Sequence, residues 1–430
     1  MVKYKIYFYI LKNHNPRKDI THMKNTVNVA ILGFGVVGGG VAELIVKNSA
    51  LLEKRLGGKI AVKRVLDLRT FPDSPFASIV TPSFDDIVND TEISVVAECM
   101  GGSHPAYEFS KACLEAGKSV VTSNKEVVAN YGPELLKIAR ANNVRYIFEA
   151  AVGGGIPCLR PFEVSLAVNS ITEVNGILNG TTNYILTEMT ENGTEFSEVL
   201  AEAQHLGYAE KDPTDDVEAI DASRKIVILC ALAYGLMPKA SDVSCRGITK
   251  ITPDLLTAAA ELGCKIKLVA HASKRGEKLF LKVEPAFVTK ECLLGSVDGV
   301  FNAVSVTSEA LDDVMFCGKG AGRYPTASAV LADIFEAALR PTEQPDVHVI
   351  EYNTLPVAAL SEFDGRWVAV FEGDSEETFA KLFPEASLTH IPTLGFVLCV
   401  SGIMNRGEFE VLVSEQEANG NKCHGVFELK

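Results

Sequence analysis

No two of the ten cysteines are spaced as C-x-x-C, so neither a zinc ribbon nor a dithiol redox pair is written into this chain. Their scatter, from Cys99 to Cys423, suits reduced thiols in a cytoplasmic protein and not a disulfide framework. Long apolar runs are also missing: nothing approaches the roughly 20 residues of a membrane-spanning helix, and the patch Ile6–Leu11 is too short for the core of a secretion signal. The expectation is therefore no membrane partner. Basic runs are absent too, and a net charge of −14 argues against a nucleic-acid partner, which needs a cationic surface. There is no internal repeat and no low-complexity tract.

What is present is a chain of 430 residues, longer than a single core supports, so two or three domains are expected. Strand-like runs at Val27–Leu32, Ile60–Leu66, Ser94–Glu98, Ser119–Thr122 and Arg145–Phe148 alternate with helix-patterned stretches at Gly39–Asn48, Pro105–Ala116 and Gly132–Asn142. This alternation predicts an α/β fold with a doubly wound, Rossmann-like parallel sheet over residues 23–150. Residues 1–22 read as an N-terminal extension with little part in the fold.

Beyond Glu149 the pattern changes to strand Ile171–Leu178, helices over Asn183–Gln204 and Val217–Tyr234, and strands at Phe280–Pro285 and Val300–Thr307. We read an α+β catalytic and dimerisation domain over 151–315, whose strands would suit a homodimer or homotetramer interface. Residues 316–340, with a helix at Pro325–Arg340, are expected to return to the first domain. A linker at Pro341–Pro345 leads to a small C-terminal α+β module (345–430), with strands at Trp367–Phe371, Phe396–Val400 and Phe409–Val413 and a helix at Glu376–Phe383.

The motif Gly33-x-Gly35-x-x-Gly38, with Val36 and Val37 inside it, lies between a strand and a helix. Glycines there allow a tight turn and the approach of a pyrophosphate to the helix N-terminus, which points to a dinucleotide. Asp67 ends the second strand, where an acid can bond the adenosine ribose; a turn residue would look the same. Lys63, Arg64 and Arg69 could instead meet a 2′-phosphate, so NAD and NADP both remain open. Lys125 follows a buried-type strand at the carboxyl edge of the sheet, where such sheets bind ligands, although a solvated lysine is the plainer reading.

Glu149–Pro157 holds three consecutive glycines, whose exposed carbonyls suit a monovalent cation or a hinge. Asn179-Gly180-Thr181-Thr182-Asn183 offers amide and hydroxyl groups at a helix start. The densest cluster is Leu206–Lys225, where Glu210, Asp212, Asp215, Asp216 and Glu218 precede a helix carrying Asp221 and Lys225 on one face. Acids at a helix N-terminus are favourable in themselves. The run Ile226–Ala233 is apolar almost all round, however, so Lys225 heads a buried helix and needs a carboxylate partner or a function.

Together these segments resemble homoserine dehydrogenases, from Val27 to about Leu339. The most specific stretch is Ala203-x-x-x-Gly207-Tyr208-Ala209-x-x-Asp212-Pro213-x-x-Asp216-Val217-x-Ala219-x-Asp221-x-x-x-Lys225, in which Ala219 stands where the family has glycine. The resemblance implies reversible NAD(P)H-dependent reduction of L-aspartate 4-semialdehyde to L-homoserine. It implies Lys225, Lys125 and Asp221 as catalytic residues, and Glu210, Asp215 and Asp221 on the substrate. Gly33, Gly35, Val36, Val37, Gly38, Asp67, Lys125 and Gly322 would meet the cofactor, and Glu149, Val152, Gly154 and Ile156 a sodium or potassium ion. Gly318–Gly322 matches the family's late glycine loop, with Lys319 where proline is common, and the C-terminal module stands where many members carry an ACT-type domain that binds threonine. Two other readings are a phosphorylating semialdehyde dehydrogenase using Cys99 and His104, and a catalytically silent NAD(P)-binding regulatory protein.

Overall fold

A computed structural model describes residues 26–342, 349–380, 383 and 386–430. The expected extension 1–22 and most of the expected linker lie outside the described residues.

The first sheet is parallel, in the order β3-β2-β1-β4-β5-β6, from β1 (Thr26–Leu32), β2 (Lys59–Leu66), β3 (Val80–Thr81), β4 (Ile93–Glu98), β5 (Ser119–Thr122) and β6 (Tyr146–Ile147). Val29–Leu32 and Val95–Glu98 are buried because helices cover both faces, as a parallel sheet requires. The flanking helices are α1 (Val36–Lys47), α2 (Ser49–Leu56), α3 (Ala106–Glu115) and α4 (Lys125–Ala141). Helix α4 begins seven residues before the patterned start at Gly132, because the Asn124 side chain accepts the Glu126 and Val127 amides and caps it. Lys125 is therefore the first residue of a helix.

The second body holds β7 (Ile171–Ile177), α5 (Gly180–Asn192), α6 (Phe196–His205), α7 (Ile220–Tyr234), α8 (Pro253–Glu261), β8 (Cys264–Arg275), β9 (Lys278–Thr289), β10 (Phe301–Ser308) and β11 (Asp312–Lys319). The continuous helix expected over Asn183–Gln204 is broken at Gly193, which caps α5 in the left-handed conformation. Helix α7 starts at Ile220, not Val217, because Ala219 has φ +68°. Helix α9 (Arg323–Leu339) returns to the first domain and packs on α1, where Gly40 lets Ala327 and Arg323 approach.

The C-terminal segment supplies β12 (Asp364–Glu372), β13 (Ser387–Ile391), β14 (Phe396–Asn405), α10 (Arg406–Ala418) and β15 (Cys423–Leu429). The expected strand Phe409–Val413 lies inside α10: Asn405 caps the helix, and Phe409, Val413 and Gln416 recur at helical spacing on its buried side. With the turn at Glu377–Ala380 the unit is βαββαβ, its strands ordered β15-β12-β14-β13. It has its own core around Trp367, Phe371, Phe379 and Phe409, but not its own sheet. Strand β15 pairs with β9, so the sheet runs on as β11-β10-β7-β8-β9-β15-β12-β14-β13. The seam also carries buried charge: Arg406 of α10 meets Glu284 of β9 at 2.7 Å, and Lys282 pairs with Glu284 and Glu428. Among the described residues no helix is long and apolar enough to cross a membrane.

Candidate active site

The three glycines of the first turn differ in what surrounds them. Gly33 has φ +88°, and a Cβ there would meet the Cys99 carbonyl at 3.0 Å; at Gly38 it would lie 2.0 Å from the Gly33 carbonyl. Gly35 caps α1, and a Cβ there would meet nothing within 4 Å. Two glycines thus close the turn and one leaves room over a helix N-terminus, which fits a pyrophosphate. Val36 is exposed at that helix start and Val37 packs inward against the core.

Beside this turn Gly33, Asp67, Arg69, Met100, Gly101 and Phe109 line a mainly apolar cleft. Asp67 accepts the Phe34 amide at 2.8 Å and two bonds from the Arg69 guanidinium at 2.9 Å. That guanidinium holds the Asp67 carboxyl well below the usual carboxylate range. Of the three cations named from sequence, Lys63 is taken up by Asp90 and Glu92, and Arg64 bonds the Lys63 carbonyl. Arg69 also lines the neighbouring recess with Gly35, Val36, Ser74 and Arg323, and it is exposed.

A second cleft, of about 570 Å³, lies between the two bodies, lined by Lys125, Thr181, Glu210, Asp216, Asp221, Lys225, Asn302 and the Lys319–Gly322 loop among others. Asp221 is its buried anchor. Lys225 Nζ donates to Asp221 Oδ2 at 2.6 Å and to the Leu178 carbonyl at 2.7 Å, and Lys125 Nζ lies 3.0 Å from Asp221 Oδ1. Burial pushes the Asp221 carboxyl up, but the two ammoniums and the Asn179 amide more than offset this and hold it below the usual range. Lys125 is raised in turn, chiefly by Asp221. An ammonium has three donors, so Lys225 keeps one N–H beyond its two protein acceptors.

Asn179 joins this group to a residue that the reading of the sequence left without a role. Its amide donates to Asp221 Oδ2 at 2.8 Å and to Asp216 Oδ1 at 2.6 Å. Burial raises the Asp216 carboxyl above its ordinary value. Asp215, expected at the substrate, is exposed and pairs with Arg224, and it is Asp216 that lines the cleft. The reason is local. Thr214–Val217 is one helical turn, so successive side chains diverge by about 100°, and only one of the two adjacent acids can face Asn179. Glu210 is exposed at the rim, and Thr181, whose hydroxyl donates to the Tyr208 carbonyl, ties that rim to α5.

The Glu149–Pro157 loop packs on the late glycine loop. A Cβ on Gly154, which has φ +53°, would sit 2.4 Å from the Gly320 carbonyl, and the Gly155 amide donates to the Lys319 carbonyl. Gly322, at φ +117°, is the N-cap of α9 and a wall of the second cleft. The Glu149 carboxylate accepts the Leu159 and Arg160 amides at 2.8 Å, and burial raises it. A cation in this loop would therefore be held by main-chain oxygens. Those of Glu149, Val152 and Gly154 are of the right hard type; Cys158 already donates to two of the four carbonyls, its thiol to Val152 at 3.7 Å and its amide to Ile156 at 2.9 Å.

Cys99 does not suit a thioester chemistry: burial pushes its thiol far up, and His104 is bonded to Glu108 at the surface.

Comparison with known proteins gives one consistent result. The model of the family described as "Homoserine dehydrogenase, NAD binding domain" matches residues 33–149, and that described as "Homoserine dehydrogenase" matches 157–335. A homoserine dehydrogenase of Synechocystis sp. is 43% identical over 315 residues, 72% of each chain. One of Helicobacter pylori is 40% identical, covering 74% of this chain and 75% of the relative. The crystal structure of a homoserine dehydrogenase from Thiobacillus denitrificans superposes with a TM-score of 0.86 at 32% identity, covering 94% of this chain and 98% of that one. A hyperthermophilic archaeal homoserine dehydrogenase in complex with NADPH superposes at 0.64 with 29% identity, over 74% of this chain and 100% of that one.

Proposed function

The chain belongs to the homoserine dehydrogenase family, and on that premise we propose that it reduces L-aspartate 4-semialdehyde to L-homoserine, reversibly, with NAD(P)H. The observation that carries the reading is the buried Asp221 carboxylate holding two ammoniums, Lys125 and Lys225, in the cleft between the dinucleotide-binding body and the second body. A silent binding protein would have no use for such a pair.

A dihydronicotinamide held at the Gly33–Gly38 turn would supply hydride to the aldehyde carbon. Negative charge then develops on the carbonyl oxygen, and stabilising that charge is usually the largest catalytic contribution. Lys225 stabilises it through its third N–H and donates the proton, with Lys125 adding a second positive charge. Asp221 aims both lysines, holding Lys225 at one carboxylate oxygen and Lys125 at the other. The acids Glu210 and Asp216 hold the substrate ammonium, a role for which Asp216 now stands in place of Asp215. Thr181 and the start of α5 face the same cleft and suit the substrate carboxylate.

Arg69 supports a preference for NADP(H): it cancels the charge of Asp67, the usual partner of an unphosphorylated ribose, and offers a guanidinium at the recess rim. Main-chain oxygens of the Glu149–Ile156 loop would bind sodium or potassium. We further propose a cytoplasmic homodimer or homotetramer joined through the second body, and threonine as an effector at the βαββαβ unit; sedimentation and threonine titration of the full chain test these. The central experiment follows the nicotinamide absorbance band with homoserine and each of NAD and NADP. Reduction of NADP at the lower KM is expected, and no reduction of either would overturn the reading.

A further inference from the structure

Glu98 ends the central strand β4, and its side chain is fully buried. One carboxylate oxygen accepts the Met100 amide at 2.7 Å, and the other accepts the Thr122 hydroxyl at 2.5 Å. Burial pushes this carboxyl up to about 7, against the opposing pull of those bonds and of Asn124, and no cation among the described residues compensates it. An ionisable group kept in such a place is costly, and an apolar side chain would fill the space without that penalty.

The partners of Glu98 belong to different parts of the machinery. Met100 and Gly101 wall the cleft beside Gly33 and Asp67. The Thr122 hydroxyl accepts the Asn124 amide at 2.9 Å, and Asn124 both caps α4 and donates to the Gly102 carbonyl at 2.8 Å. Lys125 is the next residue, and its ammonium ends at Asp221. Loop and helix start are thus tied through one carboxylate.

We propose that Glu98 is a positioning residue, whose carboxylate ties the Met100–Gly102 loop on the dinucleotide cleft to the helix start that aims Lys125 at the reacting carbonyl. It touches neither reactant and acts through Lys125, so it rests on the role given to that lysine above. Glu98→Gln keeps the volume and can still accept the Met100 amide. At Thr122, however, it presents an NH₂ group where an acceptor stood, so the hydroxyl loses that acceptor and its proton must turn elsewhere.

The test is a double-mutant cycle in the full chain: wild type, Glu98→Gln, Lys125→Ala and the double variant, with homoserine oxidation at saturating dinucleotide. Fluorescence of the reduced dinucleotide gives its Kd in each protein. Glu98→Gln is expected to lower kcat about tenfold or more with homoserine KM within about twofold, and to cost less than about twofold once Lys125 is gone. Equal losses in both backgrounds would overturn the proposal. Thr122→Val cuts the same link from the other side and serves if Glu98→Gln does not fold; wild-type turnover in that variant overturns it as well. If the wild type does not oxidise homoserine, the reading of function fails and dinucleotide affinity decides. A loss of about fivefold or more in Glu98→Gln then upholds the tie to the Met100 loop, and an unchanged Kd refutes it.

Discussion

Replacing Lys225 by methionine removes an ammonium while leaving a straight side chain of similar length in its place, so the consequences for fold and for chemistry can be separated. In the folded protein Lys225 satisfies the Leu178 carbonyl and one oxygen of Asp221. Asp221 keeps Lys125 at its other oxygen and the Asn179 amide at the first. The stability cost is therefore that of a charged hydrogen bond, about 1–3 kcal/mol, and the chain stays folded. The reaction loses more: a proton donor contributes about 10²–10⁴-fold, or about 3–5 kcal/mol of barrier. Dinucleotide affinity should stay within about twofold, because Lys225 stands on α7 of the second body and the glycine turn on the first. Homoserine-dependent absorbance at the nicotinamide band measures turnover, and fluorescence of the reduced cofactor measures its Kd. A folded Lys225→Met protein that keeps half the wild-type rate would refute the assignment.

Gly35→Ala should leave the melting temperature unchanged yet weaken dinucleotide binding, since its Cβ meets only open space, whereas Gly38→Ala should destabilise the fold itself; thermal melts of both variants distinguish the two. Ala219→Gly should stabilise the protein by about 1 kcal/mol, because the buried alanine is held at φ +68°, where an L side chain is strained; a lower melting temperature would contradict this. Glu98 makes stability depend on pH. Its ordinary value is 4.5 and its folded value about 7, so the native state keeps a proton that the unfolded chain gives up. Its contribution is complete below 4.5, falls as pH rises, and is lost above 7, a change of about 3 kcal/mol. Glu98→Gln should gain on the wild type in melting temperature between roughly pH 5 and 8, and a constant gap would argue against a raised carboxyl.

The sequence by itself determined what depends on neighbours along the chain. Alternating β-branched runs and helical stretches specified the parallel sheet, and the strand–glycine–helix order specified the dinucleotide turn. The apolar run after Lys225 marked that lysine as buried and in need of Asp221, which lies one turn away on the same helix. What depends on direction or on distant partners was decided only by the tertiary structure. Asp215 and Asp216 are indistinguishable as adjacent acids, and it took Asn179 on one side and Arg224 on the other to send one into the cleft and the other to the surface. Phe409 and Val413 suit either a strand or a helix at that spacing until Asn405 caps the turn. Lys125 reads as a strand-end lysine until Asn124, held by Thr122 and Gly102, starts a helix there. Glu98 carried no signal at all: a strand-ending acid is ordinarily a solvated one, and only burial between β1 and β5 makes its carboxylate the tie between a cofactor loop and a lysine on the next helix.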